Sequence, residues 1–149
     1  ITGPAQAFIP VPAGDIEQMS MAVINPLTAH LLLKSVQALK EGDWIIQSAA
    51  NSAVGEYLIQ LAAQRGINTI NVVRRESLVP QLKSLGATVV LVDGPDLAER
   101  AKAATNGADI VYAVDAVGAI LSPAWFKASP MVLKSHVMAC WRCRCRHWI

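Results

Sequence analysis

From Trp44 to Val114 the chain alternates short apolar runs with stretches of helical length, parted by turns rich in Gly, Pro and Asp. That rhythm is the strongest constraint on its fold. Strands separated by helices are joined by crossovers rather than hairpins, and right-handed crossovers place helices on both faces of a parallel sheet. The first strand is expected at Trp44-Ile45-Ile46, leading into Gln47-Ser48-Ala49, and Ser52 can cap a helix running to about Arg65. That helix presents Val54, Leu58, Leu61 and Ala62 inward. Thr69–Val73 is the second strand, and Ser77–Leu85 the second helix, stopped by Gly86. Ala87–Val92, Leu97–Ala104 and Asp109–Val114 supply the third strand, third helix and fourth strand.

The flanks are less regular. Residues 1–14 carry three prolines and read as a linker or an edge left from a catalytic domain. Helical text runs from Asp15 to about Lys40, interrupted near Asn25-Pro26, where proline starts a new helix comfortably. Leu27, Leu31, Leu32, Val36 and Leu39 give this stretch an apolar stripe. Beyond Gly118, Pro123 and Pro130 break the text and no fifth strand is legible, so residues 119–149 are expected to be a divergent segment.

Composition supports an interior-rich α/β fold over disorder, with 53% hydrophobic, 16% charged and only 5% aromatic residues. A core of Ala, Val, Ile and Leu suits parallel strands covered on both faces. The net charge of +2 gives no basis for a nucleic-acid partner. No apolar run reaches the roughly 18 residues of a membrane span, and Ile1–Pro12 does not read as a signal peptide. All three cysteines fall in the last ten residues, so no disulfide framework supports the rest, as in a cytoplasmic or organelle-interior protein.

The candidate chemistry lies between the first strand and its helix. Gln47 to Gly55 occupies the place where a dinucleotide's pyrophosphate meets backbone N–H groups at a helix N-terminus. Set on G-x-G-x-x-G, this Rossmann-like loop reads Ala50, Ser52 and Gly55, so only the third glycine survives. The Ser52 hydroxyl is available as a donor to phosphate oxygen. The same residues also serve as an ordinary strand–helix turn with Ser52 as its N-cap. The second strand ends in Arg74-Arg75, with Arg74 19 residues beyond Gly55. An acidic residue there suits the ribose hydroxyls of NAD, whereas arginine suits the 2′-phosphate of NADP. A solvated charge pair at a strand end is the other reading.

Four segments carry a family resemblance: Asn25-Pro26-Leu27-Thr28-Ala29, Gly42–Gln47, Ala50-Asn51-Ser52-Ala53-Val54-Gly55 and Thr69–Arg74. With them the chain, from about Ile1 to Gly118, resembles zinc-independent medium-chain dehydrogenases/reductases, most nearly the 2-enoyl thioester reductases and related quinone oxidoreductases. The resemblance implies NADPH as cofactor and reduction of a double bond conjugated to a thioester carbonyl. It places Ser52, Ala53, Val54 and Gly55 at the pyrophosphate, and Arg74 with Arg75 at the 2′-phosphate. Asn25 and Thr28 would lie near the nicotinamide, and Val117-Gly118 would border its pocket, with Asp115 shaping the turn. It also implies that the family's catalytic tyrosine and most of its catalytic domain have no counterpart here, leaving the family's sheet incomplete. No catalytic or metal-binding residue is therefore assigned, and the isolated chain is expected to be inactive.

A small enoyl thioester or quinone would be met only with the complete enzyme, and a homodimer through an exposed sheet edge is an open expectation. The expected setting is cytoplasmic or the mitochondrial matrix. The alternatives are a catalytically empty NADPH-binding or oligomerisation module, or a segment of a quinone reductase. Tyr57 and Tyr112 read as packing residues, and His30 as a half-exposed helix residue. His136, Cys140, Cys143, Cys145 and His147 read as an incidental tail more readily than as a zinc site, because Cys-x-Cys is cramped for joint ligation.

Overall fold

In the computed structural model, residues 4, 10, 12–35, 39–117 and 136–138 are described, those at 18, 35 and 136–138 by backbone alone. The strand–helix rhythm produces a five-stranded sheet. Its strands are β1 (Trp44–Gln47), β2 (Asn68–Val73), β3 (Val89–Val92), β4 (Ile110–Asp115) and β5 (His136–Met138). Every pairing is parallel and the spatial order is β3-β2-β1-β4-β5. The helices are α1 (Ile16–Met21), α2 (Ile24–Ser35), α3 (Ala53–Gln64), α4 (Val79–Ser84) and α5 (Leu97–Ala104). This is the doubly wound, Rossmann-like arrangement expected from the alternation.

Strand alternation sorts the core into two faces. Ile45, Tyr112 and Val114 point to one side, where α2 and α3 bring Ala29, Leu32, Leu33, Leu58 and Ala62. Ile46, Ile70, Val72, Ile110 and Ala113 point to the other and meet Leu97 and Ala101 of α5. Ala50, Ile59, Val73 and Leu82 close the space between α3, α4 and the outer strands. The chain thus winds outward from β1 to β3 on one face, then crosses beneath on α5 to begin again at β4. The C-terminal ends of β1 and β4 are where the two windings part, and such a switch point opens a crevice.

Ser52 caps α3 as the sequence suggests, in extended conformation, with its Oγ accepting from the Gly55 N–H at 3.2 Å. Gly86 follows α4 with φ +100°, a left-handed turn that only glycine adopts without strain. Other expectations are corrected. The stretch before β1 breaks at Ala22-Val23, and Pro26 sits inside the first turn of α2, where its missing N–H costs no helical bond. The buried stripe of α2 is Ala29, Leu32 and Leu33, whereas Leu27 and Leu31 are 51% and 52% exposed. Packing against α3 selects the face, and a run of three leucines gives periodicity nothing to select with. The expected second helix divides into a 3-10 turn at Glu76–Leu78 and α4, with Pro80 in the first turn.

A fifth strand exists where none was expected. β5 pairs with β4 through Ala113↔His136, Val114↔Val137 and Asp115↔Met138. Three residues are too few to carry a strand pattern of their own, so the exposed edge of β4 recruits them. Among the described residues no helix is long and apolar enough to cross a membrane. Cys140, Cys143, Cys145 and His147 lie outside the described residues.

Candidate functional site

A cavity of about 340 Å³ lies at the C-terminal rim of the sheet, lined by Ala49, Asn51, Val72, Val73, Arg74, Arg75, Leu78 and Val117. Its walls come from the ends of three neighbouring strands. β1 contributes the turn into α3, β2 the arginine pair, and β4 the residue Val117. The volume falls in the range of small-molecule pockets, roughly 300–1,000 Å³.

The turn into α3 is shaped by close approach. A Cβ on Gly55 would stand 2.6 Å from the Ala50 carbonyl oxygen, so this position admits only glycine without displacement. Ala49 takes up the compensating bend with φ +48°, a left-handed conformation held by a residue that carries a Cβ. Ser52 uses its side-chain oxygen for Gly55 N–H and its carbonyl for Glu56 N–H. The Ala53 and Val54 N–H groups stand at the helix tip, without a partner among the described hydrogen bonds. A helix of this length carries partial positive charge at that end.

Beneath the turn runs a buried polar ladder. Gln47 Nε2 donates to the Gly55 carbonyl at 3.1 Å and to Asn71 Oδ1 at 2.8 Å. Asn71 Nδ2 donates to Thr69 Oγ1 at 2.9 Å and to the Val89 carbonyl at 3.0 Å. The backbone N–H of Thr69 donates to Thr88 Oγ1 at 3.1 Å. These side chains tie the first turn of α3 through β2 to β3. A second tie joins β1 to β4. Ser48 Oγ donates to Asp115 Oδ1 at 2.6 Å and accepts the Ala116 N–H at 2.9 Å, while Asp115 Oδ1 also accepts the Val117 N–H at 2.9 Å. Asp115 shapes the strand-end turn, as expected of it.

Of the residues singled out from sequence, the cavity brings together Arg74, Arg75 and Val117. Both arginines are exposed and neither pairs with a carboxylate among the described residues, whereas Arg100 pairs with Asp96. Ser52, Ala53, Val54 and Gly55 form the adjoining helix start. Asn25 and Thr28 stand half-buried on α2, away from the cavity wall, with Thr28 Oγ1 bonded back to the Ile24 carbonyl at 2.7 Å. Gly118 lies outside the described residues. Ala49, Asn51, Val72, Val73 and Leu78 are lining residues that sequence reasoning missed. The apolar ones read as strand or helix interior, although Asn51 beside Ser52 could have been found from its place in the loop. Tyr57 packs against the core and Tyr112 is fully buried within it. His30 is exposed, 3.2 Å from an Arg65 nitrogen.

Comparison with known proteins fits this geometry. Residues 53–136 match the family model described as zinc-binding dehydrogenase. The mitochondrial enoyl-[acyl-carrier-protein] reductase of Schizosaccharomyces pombe is 50% identical over 82 residues, 52% of this chain and 22% of that protein. A mycobacterial protein solved in complex with NADPH superposes with a TM-score of 0.71 at 34% identity, over 80% of this chain and 38% of its own. The mitochondrial 2-enoyl thioester reductase heterodimer of Candida tropicalis gives a TM-score of 0.65 at 31% identity, covering 78% of this chain and 35% of that one. The chain therefore spans less than a quarter of the length of that curated yeast relative. Zinc enters through the family description; among the described residues no three His, Cys, Asp or Glu side chains gather as a metal site. With a family match across more than half its length, laid over this strand order and this helix turn, the chain belongs to the zinc-binding dehydrogenase family and is related to its enoyl reductases.

Proposed function

We propose that this chain holds NADPH as the cofactor-binding segment of a 2-enoyl thioester reductase. The observation that carries the reading is Arg74 and Arg75 side by side on the cavity wall, exposed and without carboxylate partners among the described residues, next to the capped start of α3. A 2′-phosphate bears the charge and the oxygens that a planar guanidinium recognises with two donors at once. The N–H groups of Ala53 and Val54, with the Ser52 hydroxyl, suit a pyrophosphate at a helix start. Gly55 suits the close backbone approach that such a cradle needs. The residues present therefore fit the cofactor.

When bound, NADPH supplies hydride to the β-carbon of a double bond conjugated to a carbonyl. The part played by this chain is to bind, orient and shield. Arg74 and Arg75 anchor the phosphorylated ribose, the α3 start fixes the pyrophosphate, and Val117 walls the crevice beyond it. Residues 15–118, with β5 added to the sheet, make up the cofactor-holding unit. Asn25 and Thr28 on α2 and Gly118 after β4 belong to the nicotinamide end of this reading. The relatives described as mitochondrial support a mitochondrial setting, and the heterodimer among the solved structures supports pairing of two chains.

Calorimetric titration of the 149-residue chain with NADPH and NADH in parallel tests the assignment. Tighter binding of NADPH, abolished as a preference by Arg74→Ala, is the expected result. Equal affinity for both cofactors, or none for either, defeats it.

A further inference from the structure

Two buried amides link the start of α3 to the strand that carries the arginines. Gln47 ends β1, and Asn71 is its register partner on β2. Ile46, Ile70 and Val72 face α5, so strand alternation turns Gln47 and Asn71 to the α3 side of the sheet. They are 2% and 0% exposed, and a buried amide is costly unless its polar atoms are paired. Gln47 uses both N–H groups, one on the Gly55 carbonyl at 3.1 Å and one on Asn71 Oδ1 at 2.8 Å. Asn71 turns its own N–H groups to Thr69 Oγ1 at 2.9 Å and the Val89 carbonyl at 3.0 Å.

The direction of these bonds is fixed from β3. A backbone carbonyl can only accept, so Val89 makes Asn71 present nitrogen to β3 and oxygen to β1. That oxygen makes Gln47 present nitrogen to β2, and the other N–H of the same nitrogen falls on Gly55. Neither amide can flip without setting acceptor against acceptor. Gly55 is the third residue of α3, so its carbonyl moves with the helix whose tip presents the Ala53 and Val54 N–H groups. Asn71 stands three residues before Arg74. A separate bond from the Ala50 N–H to the Val72 carbonyl at 3.2 Å ties down the loop between β1 and α3. The amide pair reaches the helix itself.

Resting on the NADPH reading above, we propose that Gln47 and Asn71 are positioning residues that fix the spacing between two anion-binding groups, the α3 tip and the Arg74-Arg75 pair. The ligand they serve carries a diphosphate and a further phosphate on one nucleoside. Each group binds its own phosphate without the link, and the link supplies their simultaneous use. A joined ligand gains over its parts through effective concentration, which falls when the two sites drift out of match. Recognition geometry tolerates a drift of only about 0.5 Å.

Three probes separate the sites from their spacing: inorganic pyrophosphate for the helix tip, adenosine 2′-phosphate for the arginines, and adenosine 2′-phosphate 5′-diphosphate for both. All are titrated by calorimetry into the 149-residue chain and its variants. Gln47→Met, close in length but without N–H groups, is expected to weaken the joined probe about tenfold and leave each part within about twofold. Gln47→Asn holds its amide one carbon too short, is expected to show the same pattern, and takes over the test if Gln47→Met does not fold. Thr88→Val removes the acceptor of the Thr69 N–H, at 3.1 Å on the β3 side of the ladder. It is expected to lower the urea midpoint and yet hold the joined probe within about twofold of wild type.

A joined probe bound as tightly by the Gln47 variant as by wild type overturns the proposal, as does equal weakening of that probe and its parts. Equal weakening of the joined probe by Thr88→Val and Gln47→Met overturns it too, because lost stability then accounts for both. In the wild type, a joined probe no tighter than its better part overturns the link and leaves the cofactor reading standing. A chain that binds none of the three overturns both.

Discussion

Gly55→Ala puts the close approach of α3 to its loop under direct strain. The added methyl would stand 2.6 Å from the Ala50 carbonyl oxygen and 2.9 Å from its carbon, both backbone atoms that no side-chain rotation can move aside. Ordinary carbon–oxygen contacts are roughly 3.3–3.6 Å, so the helix start must retreat by about 0.7–1.0 Å. Overpacking of this kind costs about 1–3 kcal/mol. A retreat of that size also stretches the 3.1 Å bond from Gln47 to the Gly55 carbonyl, worth about 0.5–1.5 kcal/mol. Alanine's higher helix propensity returns about 1 kcal/mol. The net expectation is a loss of about 1–3 kcal/mol, read as a urea midpoint lowered by about 1 M at unchanged slope. NADPH affinity, measured by calorimetry on the folded variant, falls by about tenfold as the cradle opens. A midpoint that rises by the propensity gain, with cofactor affinity intact, would refute the reasoning.

Three further substitutions probe other parts of the fold. Asn71→Leu leaves Gln47 Nε2 with its bond to the Gly55 carbonyl alone and removes the bridge to Val89, and is expected to cost about 2–4 kcal/mol in chemical denaturation. Ala49→Val places a β-branched residue at φ +48° and should lower stability by about 1–2 kcal/mol, whereas Ala49→Gly should stay within about 1 kcal/mol of wild type in the same assay. Leu33→Ala opens the core under α2 and should cost about 2–4 kcal/mol, while Leu31→Ala, on the exposed side, should change the melting midpoint little.

Sequence made the sheet legible because its signals are local. Apolar runs of strand length, the Ser52 cap and the Gly86 stop each act within a few residues, and the structure keeps them all. The arginine pair was legible for the same reason, standing where β2 leaves the sheet. Properties decided by distant partners were not. The buried face of α2 depends on how α3 meets it, and Leu31-Leu32-Leu33 is apolar in too many directions to reveal the choice. β5 is a strand because β4 offers an edge, not because three residues demand one. Ser48 and Asp115 lie 67 residues apart, and nothing around either announces the other. Val72, Val73 and Leu78 line the cavity through the path of the backbone, while their chemistry matches that of any core residue.

The order of strands also dictates the order in which the sheet can be completed. β1 lies at its centre, yet one of its two neighbours, β4, is made only after two full crossovers have been laid down. As the chain emerges, β1 can pair with β2 and β2 with β3, while the other edge of β1 stays open with Trp44, Ile45 and Ile46 along it. Long-range parallel pairing is slow, and an unpaired apolar edge invites association with other chains. The middle of this sheet therefore closes only after its β1–β3 half is in place, and the interval before β4 arrives leaves the nascent protein open to aggregation along β1.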